Sequence, residues 1–135
     1  MSDTLADSQT QSALDGICVL DMTTGMAGAL AAMFLCDNGA RVVRLVGHDD
    51  EIVRPEPGFA LWDRGKEVVM LDSRDLETLH KLSRAADVVI EDIAPGFEKE
   101  VMFRAAARAN PNLIRCTISA YGNAGQLLDE PADHD

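Results

Sequence analysis

Ile17-Cys18-Val19-Leu20-Asp21-Met22-Thr23-Thr24-Gly25-Met26-Ala27-Gly28-Ala29-Leu30-Ala31-Ala32-Met33-Phe34-Leu35-Cys36-Asp37-Asn38-Gly39 is the stretch whose reading decides the fold. It reads as a buried strand, a turn, and a helix that stops at a glycine. Ile17, Val19 and Leu20 make an apolar run of strand length, with Asp21 at its carboxyl end. Thr23, Thr24 and Gly25 are turn formers and N-cap candidates. From Met26 to Cys36 nearly every residue is apolar, so no water-facing stripe is left and cover on more than one side is expected. Gly39 supplies the left-handed position that commonly ends a helix. A strand that feeds a helix through a glycine-containing turn leaves free N–H groups at the helix start, a common place to hold a phosphate or carboxylate. The turn lacks the full G-x-G-x-x-G spacing and is a weak nucleotide fingerprint.

Outward from that unit, Arg41 to Val46 is β-branched and strand-like. Gly47 to Gly58 carries two prolines and four acids and reads as a surface loop, which Phe59, Leu61 and Trp62 fold back onto the core. Glu67 to Leu71 is a third strand. Asp72 or Ser73 is then expected to cap a helix running to about Ala85, with Leu76, Leu79 and Leu82 or His80 on its inner side. Asp87 to Ile90 is a fourth strand, ending at Glu91 and Asp92. After the turn Ala94-Pro95-Gly96, a helix is expected over Phe97 to Ala109, broken by Asn110-Pro111. Leu113 to Ile118 is the fifth strand. Alternating strands and helices, continuous apolar strands and short connections predict an open, mostly parallel Rossmann-like α/β sheet with helices on both faces. Ligands in such sheets bind beyond the carboxyl ends of the strands, here the loops Thr23 to Ala27, Glu91 to Gly96 and Ser119 to Gly125.

The 135 residues suit one domain, with residues 1–13 as a disordered tail, 14–125 as the folded unit and 126–135 as an acidic tail. Twelve Lys and Arg against 23 Asp and Glu give a net charge of −11, which opposes nucleic-acid and anionic-membrane binding. Cys18, Cys36 and Cys116 are widely spaced in apolar surroundings and read as buried free thiols in a reducing cytoplasm. The polar, base-poor start is no secretory signal, and the apolar run inside Met26 to Cys36 is too short to span a bilayer. A cytoplasmic location is the expectation. His48, His80 and His134 show no metal-ligand spacing with each other or with the cysteines, and no metal is expected. Lys66, after Gly65, reads either as a phosphate contact or as a strand-edge lysine facing water.

Seven short words along the chain resemble the amino-terminal part of family III CoA-transferases, the group of formyl-CoA and carnitine CoA-transferases and α-methylacyl-CoA racemases. They are Leu14-Asp15-Gly16-Ile17 with Val19-Leu20-Asp21, Asn38-Gly39-Ala40-Arg41-Val42-Val43-Arg44, Arg64-Gly65-Lys66 with Leu71-Asp72, and Ala86-Asp87-Val88-Val89-Ile90-Glu91. Ala94-Pro95-Gly96, Asn110-Pro111-Asn112-Leu113-Ile114 and Cys116-Thr117-Ile118-Ser119-Ala120-Tyr121-Gly122 complete the set. Each is weak alone; in this order, from Leu14 to Gly125, they are fairly specific.

The resemblance implies a CoA-transferase that moves CoA between an acyl-CoA and a carboxylic acid, with coenzyme A bound as substrate and no permanent cofactor. Thr24, Gly25, Met26 and Ala27 match the segment that lies along CoA, and Lys66, Asp92 and Ile93 match other CoA-lining positions. A second reading of Gly25 and Gly28 is that they merely permit close helix-to-sheet packing. The family's nucleophilic aspartate matches a position beyond Asp135, which leaves this chain alone inactive and raises the alternative of a non-catalytic lobe packed against further CoA-transferase sequence. Family members form homodimers, so a homodimer is expected. The racemases offer one more match: His134-Asp135 falls, with a one-residue shift, on a pair whose histidine moves the α-proton. The other reading of His134 is a solvated terminal residue. The chain also departs from the pattern. Glu67 stands where a base is usual, Asp92 where asparagine is usual, and Glu100 near a usual arginine. Added negative charge predicts weak or absent CoA binding by this chain alone.

Overall fold

Successive residues of the apolar runs serve opposite faces of one sheet, as the two-residue period of a strand requires. The computed structural model describes residues 11–47, 57–72, 75–92, 107–122 and 124–126. Its elements are β1 (Cys18–Asp21), α1 (Met26–Asp37), β2 (Arg41–Gly47), α2 (Pro57–Trp62), β3 (Glu67–Leu71), α3 (Leu76–Ala85), β4 (Val88–Asp92) and β5 (Ile114–Ile118). The strands lie in the order β3-β2-β1-β4-β5, and every neighbouring pair is parallel. Val19, Val42 and Ile90 join Ala32 of α1 and Ala40 in one buried cluster. Their neighbours Leu20, Val43 and Val89 join Ala86 in the other, with Leu82 of α3 packed against it. Each central strand therefore feeds both cores, and helices cover both faces as the sequence pattern predicts.

The start of α1 differs from expectation. Its N-cap is Gly25, in extended backbone and without a side-chain cap; neither threonine caps. The far end is a Schellman closure: Gly39 N donates to Cys36 O (3.0 Å) and Ala40 N to Leu35 O (3.1 Å). Gly39 stands at φ +98, and Ser12 packs over the place a side chain there would fill. The helix buries Gly28, Ala29, Ala32 and Met33, yet Met26 and Phe34 are 53% and 61% exposed. Cover comes from more than one side, the sheet and α2, as expected, and leaves Met26 and Phe34 open.

Two further differences have local causes. The surface loop expected through Gly58 gives way to α2, opened by Pro57, whose fixed φ suits a first helical position. Phe59 is buried and meets Trp62 edge-on, ring centroids 4.8 Å apart. α3 is capped by Asp75 rather than Asp72 or Ser73, because the Asp75 carboxylate accepts from Thr78 N (3.0 Å) and Thr78 Oγ1 (2.6 Å). Leu79 lies on its inner side, 2% exposed, and His80 is half-buried. Of the helix expected over 97–109, residues 107–109 are described and helical. The turn at 94–96, most of the two proposed tails and the loop at 48–56 fall outside the described residues. All three cysteines are free; Cys18 and Cys36 are half-buried, and Cys116 is exposed rather than buried.

Candidate functional site

Five parallel strands send all their carboxyl ends to one rim. The chain reverses its direction of travel across the sheet at β1, with β2 and β3 to one side and β4 and β5 to the other. The turn after β1 and the end of β4 therefore sit side by side at the switch point, where open α/β sheets bind ligands. A backbone bond from Met22 N to Ile90 O (2.9 Å) carries the β1–β4 pairing into the turn.

The amides of Thr24 and Gly25 face out of this turn, and each already has an anionic partner. Thr24 N donates to Asp92 Oδ2 (2.6 Å), and Gly25 N donates to the same oxygen (2.5 Å). Thr24 Oγ1 lies 3.2 and 3.3 Å from the two carboxylate oxygens. Asp92 thus supplies from β4 the cap that Gly25 lacks, and its charge meets the positive end of the α1 dipole. The expected donor amides are donors, and their acceptor belongs to the chain itself. A Cβ on Gly25 would stand 3.2 Å from Asp92 Oδ2, while one on Gly28 would stand 2.3 Å from the Thr23 side chain. Gly28 is there for packing; Gly25 is where a carboxylate comes close to backbone.

Lys66 does not face this opening, and it does not face water either. Its side chain has no exposed surface. The ammonium donates to Asp21 Oδ2 (2.9 Å), Asp63 Oδ1 (3.0 Å) and the Ala29 carbonyl (3.1 Å). The other oxygen of Asp21 accepts from Thr23 N (3.1 Å) and Thr23 Oγ1 (2.6 Å). Arg44 pairs with Asp63 beyond it, so two cations and two carboxylates alternate beneath the turn. No local motif announces this network, since its members come from β1, β2, and the α2–β3 turn.

Glu91, beside Asp92, is 2% exposed and turned to the next strand, accepting from Arg115 and from Thr117 Oγ1 (2.8 Å). Glu67 carries less weight at the site than its charge suggests. It lies on the edge strand β3, two strands from β1, with Arg41 Nε and Nη2 each 2.8 Å from its carboxylate oxygens. That hydrogen-bonded guanidinium holds the Glu67 carboxyl below the usual glutamate value. Thr24, Gly25, Met26, Ala27 and Asp92 are thus brought together at one rim, and Lys66 sits below them. Ile93, Glu100 and His134 lie outside the described residues. Among the described residues no three His, Cys, Asp or Glu side chains are grouped to hold a metal, and no helix is long and apolar enough to cross a membrane. What the rim shows is hydrogen-bond donation by two amides to an anionic oxygen, here that of Asp92.

Comparisons with known proteins bear on the family and the fold. An acetyl-CoA:oxalate CoA-transferase from Acetobacter aceti is 33% identical over 132 residues, 87% of this chain and 34% of the relative. The human α-methylacyl-CoA racemase is 32% identical over 91% of this chain and 32% of its own length. The crystal structure of a hypothetical protein from Mycobacterium tuberculosis matches with a TM-score of 0.79 at 32% identity, over 90% of this chain and 37% of that one. The chain spans about a third of the length of these relatives. The family description CoA-transferase family III matches residues 14–135, and the chain belongs to that family.

Proposed function

We propose that this chain supplies the CoA-gripping amino-terminal part of an enzyme that transfers CoA between an acyl-CoA and a carboxylic acid. The observation that carries this reading is the pair of outward amides on Thr24 and Gly25 at the sheet's switch point, already shaped around a carboxylate oxygen. A phosphate or carbonyl oxygen of CoA takes those donors when Asp92 turns aside, with Met26, Ala27 and Ile93 lining the ligand. The attacking aspartate lies in sequence beyond Asp135. Its carboxylate adds to the thioester carbon and expels the CoA thiolate, giving a mixed anhydride. The thiolate then attacks the aspartyl carbonyl, releasing the first carboxylate and leaving an enzyme-bound CoA thioester. This chain's part is binding and orientation.

Titration calorimetry with CoA tests the reading. The net charge of −11 and the seated Asp92 carboxylate predict weak affinity, with a dissociation constant of roughly 0.1–1 mM. No saturable binding at millimolar CoA overturns the reading; micromolar affinity overturns the charge argument. Racemisation is the second reading, favoured by the similarity to the human racemase. There the same turn grips CoA and His134 moves the α-proton, and racemisation that survives replacement of His134 removes it. Met26, Leu30 and Phe34 recur every four residues along α1, two of them largely exposed, and that stripe suits a homodimer or further sequence of the same enzyme. Light scattering behind size exclusion reads this directly, a clean monomer counting against the homodimer.

A further inference from the structure

Lys66 holds both ends of the candidate CoA turn with one ammonium. Asp21, which it bonds at 2.9 Å, is the last residue of β1; Ala29, whose carbonyl it bonds at 3.1 Å, lies in the first turns of α1. The third bond, to Asp63 at 3.0 Å, anchors that ammonium to the α2–β3 turn. A lysine ammonium has three N–H donors, and here all three are spent on the protein with no surface left to solvent. Nothing remains for a phosphate. The grip also reaches inward: Asp21 fixes Thr23 through its other oxygen, and Thr23 fills the space above Gly28. Thr23 leads directly into the amides of Thr24 and Gly25.

We infer that Lys66 is a positioning residue that never touches the ligand and sets the direction of the Thr24 and Gly25 amides by clamping the turn at Asp21 and Ala29. This rests on the CoA site proposed above only for its consequence, since the clamp is present without ligand.

The test is nuclear magnetic resonance on the full chain with CoA as the probe. The Lys66 ammonium should give a slowly exchanging ¹H–¹⁵N signal that stays in place as CoA is added, while the Thr24 and Gly25 amides move. A Lys66 signal that shifts alongside them overturns the inference. If CoA moves none of these signals, the CoA site fails, and the clamp is judged without ligand. In Lys66→Met, or in Lys66→Met/Asp21→Asn, which removes the stranded charge where the single variant does not fold, the Thr24 and Gly25 amides should be displaced while those of β5 stay put. Unmoved Thr24 and Gly25 amides in either folded variant overturn the clamp. Where CoA does bind, the variant should weaken it without changing its dependence on ionic strength, because no phosphate contact is lost; a flattened salt dependence contradicts the assignment.

Discussion

Asp92 decides how open the site is, and it does so with a single oxygen shared by two amides. Asp92→Asn keeps an acceptor at that place and removes the charge. A screened surface charge is worth about 1 kcal/mol, so CoA should bind roughly fivefold more tightly, read by calorimetry. Asp75 and Glu67 make the pH dependence. Hydrogen bonds from Thr78 lower the Asp75 carboxyl, and the Arg41 guanidinium lowers Glu67. A carboxyl lowered on folding adds stability that is fully present above its ordinary value, 3.8 for Asp75 and 4.5 for Glu67, and is lost as the pH falls through the lowered folded value. Urea midpoints should therefore drop below about pH 4.5. Asp75→Ala should lower the urea midpoint at neutral pH, through the lost cap, and blunt that drop. Among the thiols, burial pushes Cys18 up, and Cys116 is exposed, so iodoacetamide should label Cys116 first by mass spectrometry. The amides of Thr24 and Gly25 were legible as donors from the strand-turn-helix pattern. Their partner was not, because Asp92 is 68 residues away from Thr24 in sequence, and only the strand order makes them neighbours.

At the scale of elements, α1 was legible nearly to its ends, since an apolar run between Gly25 and Gly39 leaves little choice of start or stop. Its packing is more demanding than its pattern. Gly28→Ala places a methyl 2.3 Å from the Thr23 side chain, which Asp21 holds from the other side. The overpacking should cost about 1–3 kcal/mol, measured by urea denaturation, against the gain that Gly→Ala gives in an unconstrained helix. The short α2 escaped the sequence because six residues starting Pro57-Gly58 look like loop chemistry, and a helix of that length shows no periodicity. The cap of α3 stands two to three residues beyond the positions the sequence suggests, for a similar reason. Asp72, Ser73 and Asp75 are all capping types, and the choice among them is made by where Leu79 must turn inward to reach the core.

For the molecule as a whole, the parallel sheet followed from strands apolar on both faces, and the strand order then placed the turn after β1 against the end of β4. The buried alternation of Arg44, Asp63, Lys66 and Asp21 did not follow, since charged residues scattered from 21 to 66 carry no pattern until the chain folds. That network and the Asp92 cap together define a rim that donates hydrogen bonds in a protein of net charge −11. The most direct measurement of this account is a backbone amide shift map of the chain titrated with CoA. The shifts should gather on Thr23 to Ala27 and on Glu91 and Asp92, at the carboxyl rim of the sheet. Shifts gathered instead at the opposite rim, on Ala13 to Gly16, Gly39 and Asp87, would contradict it.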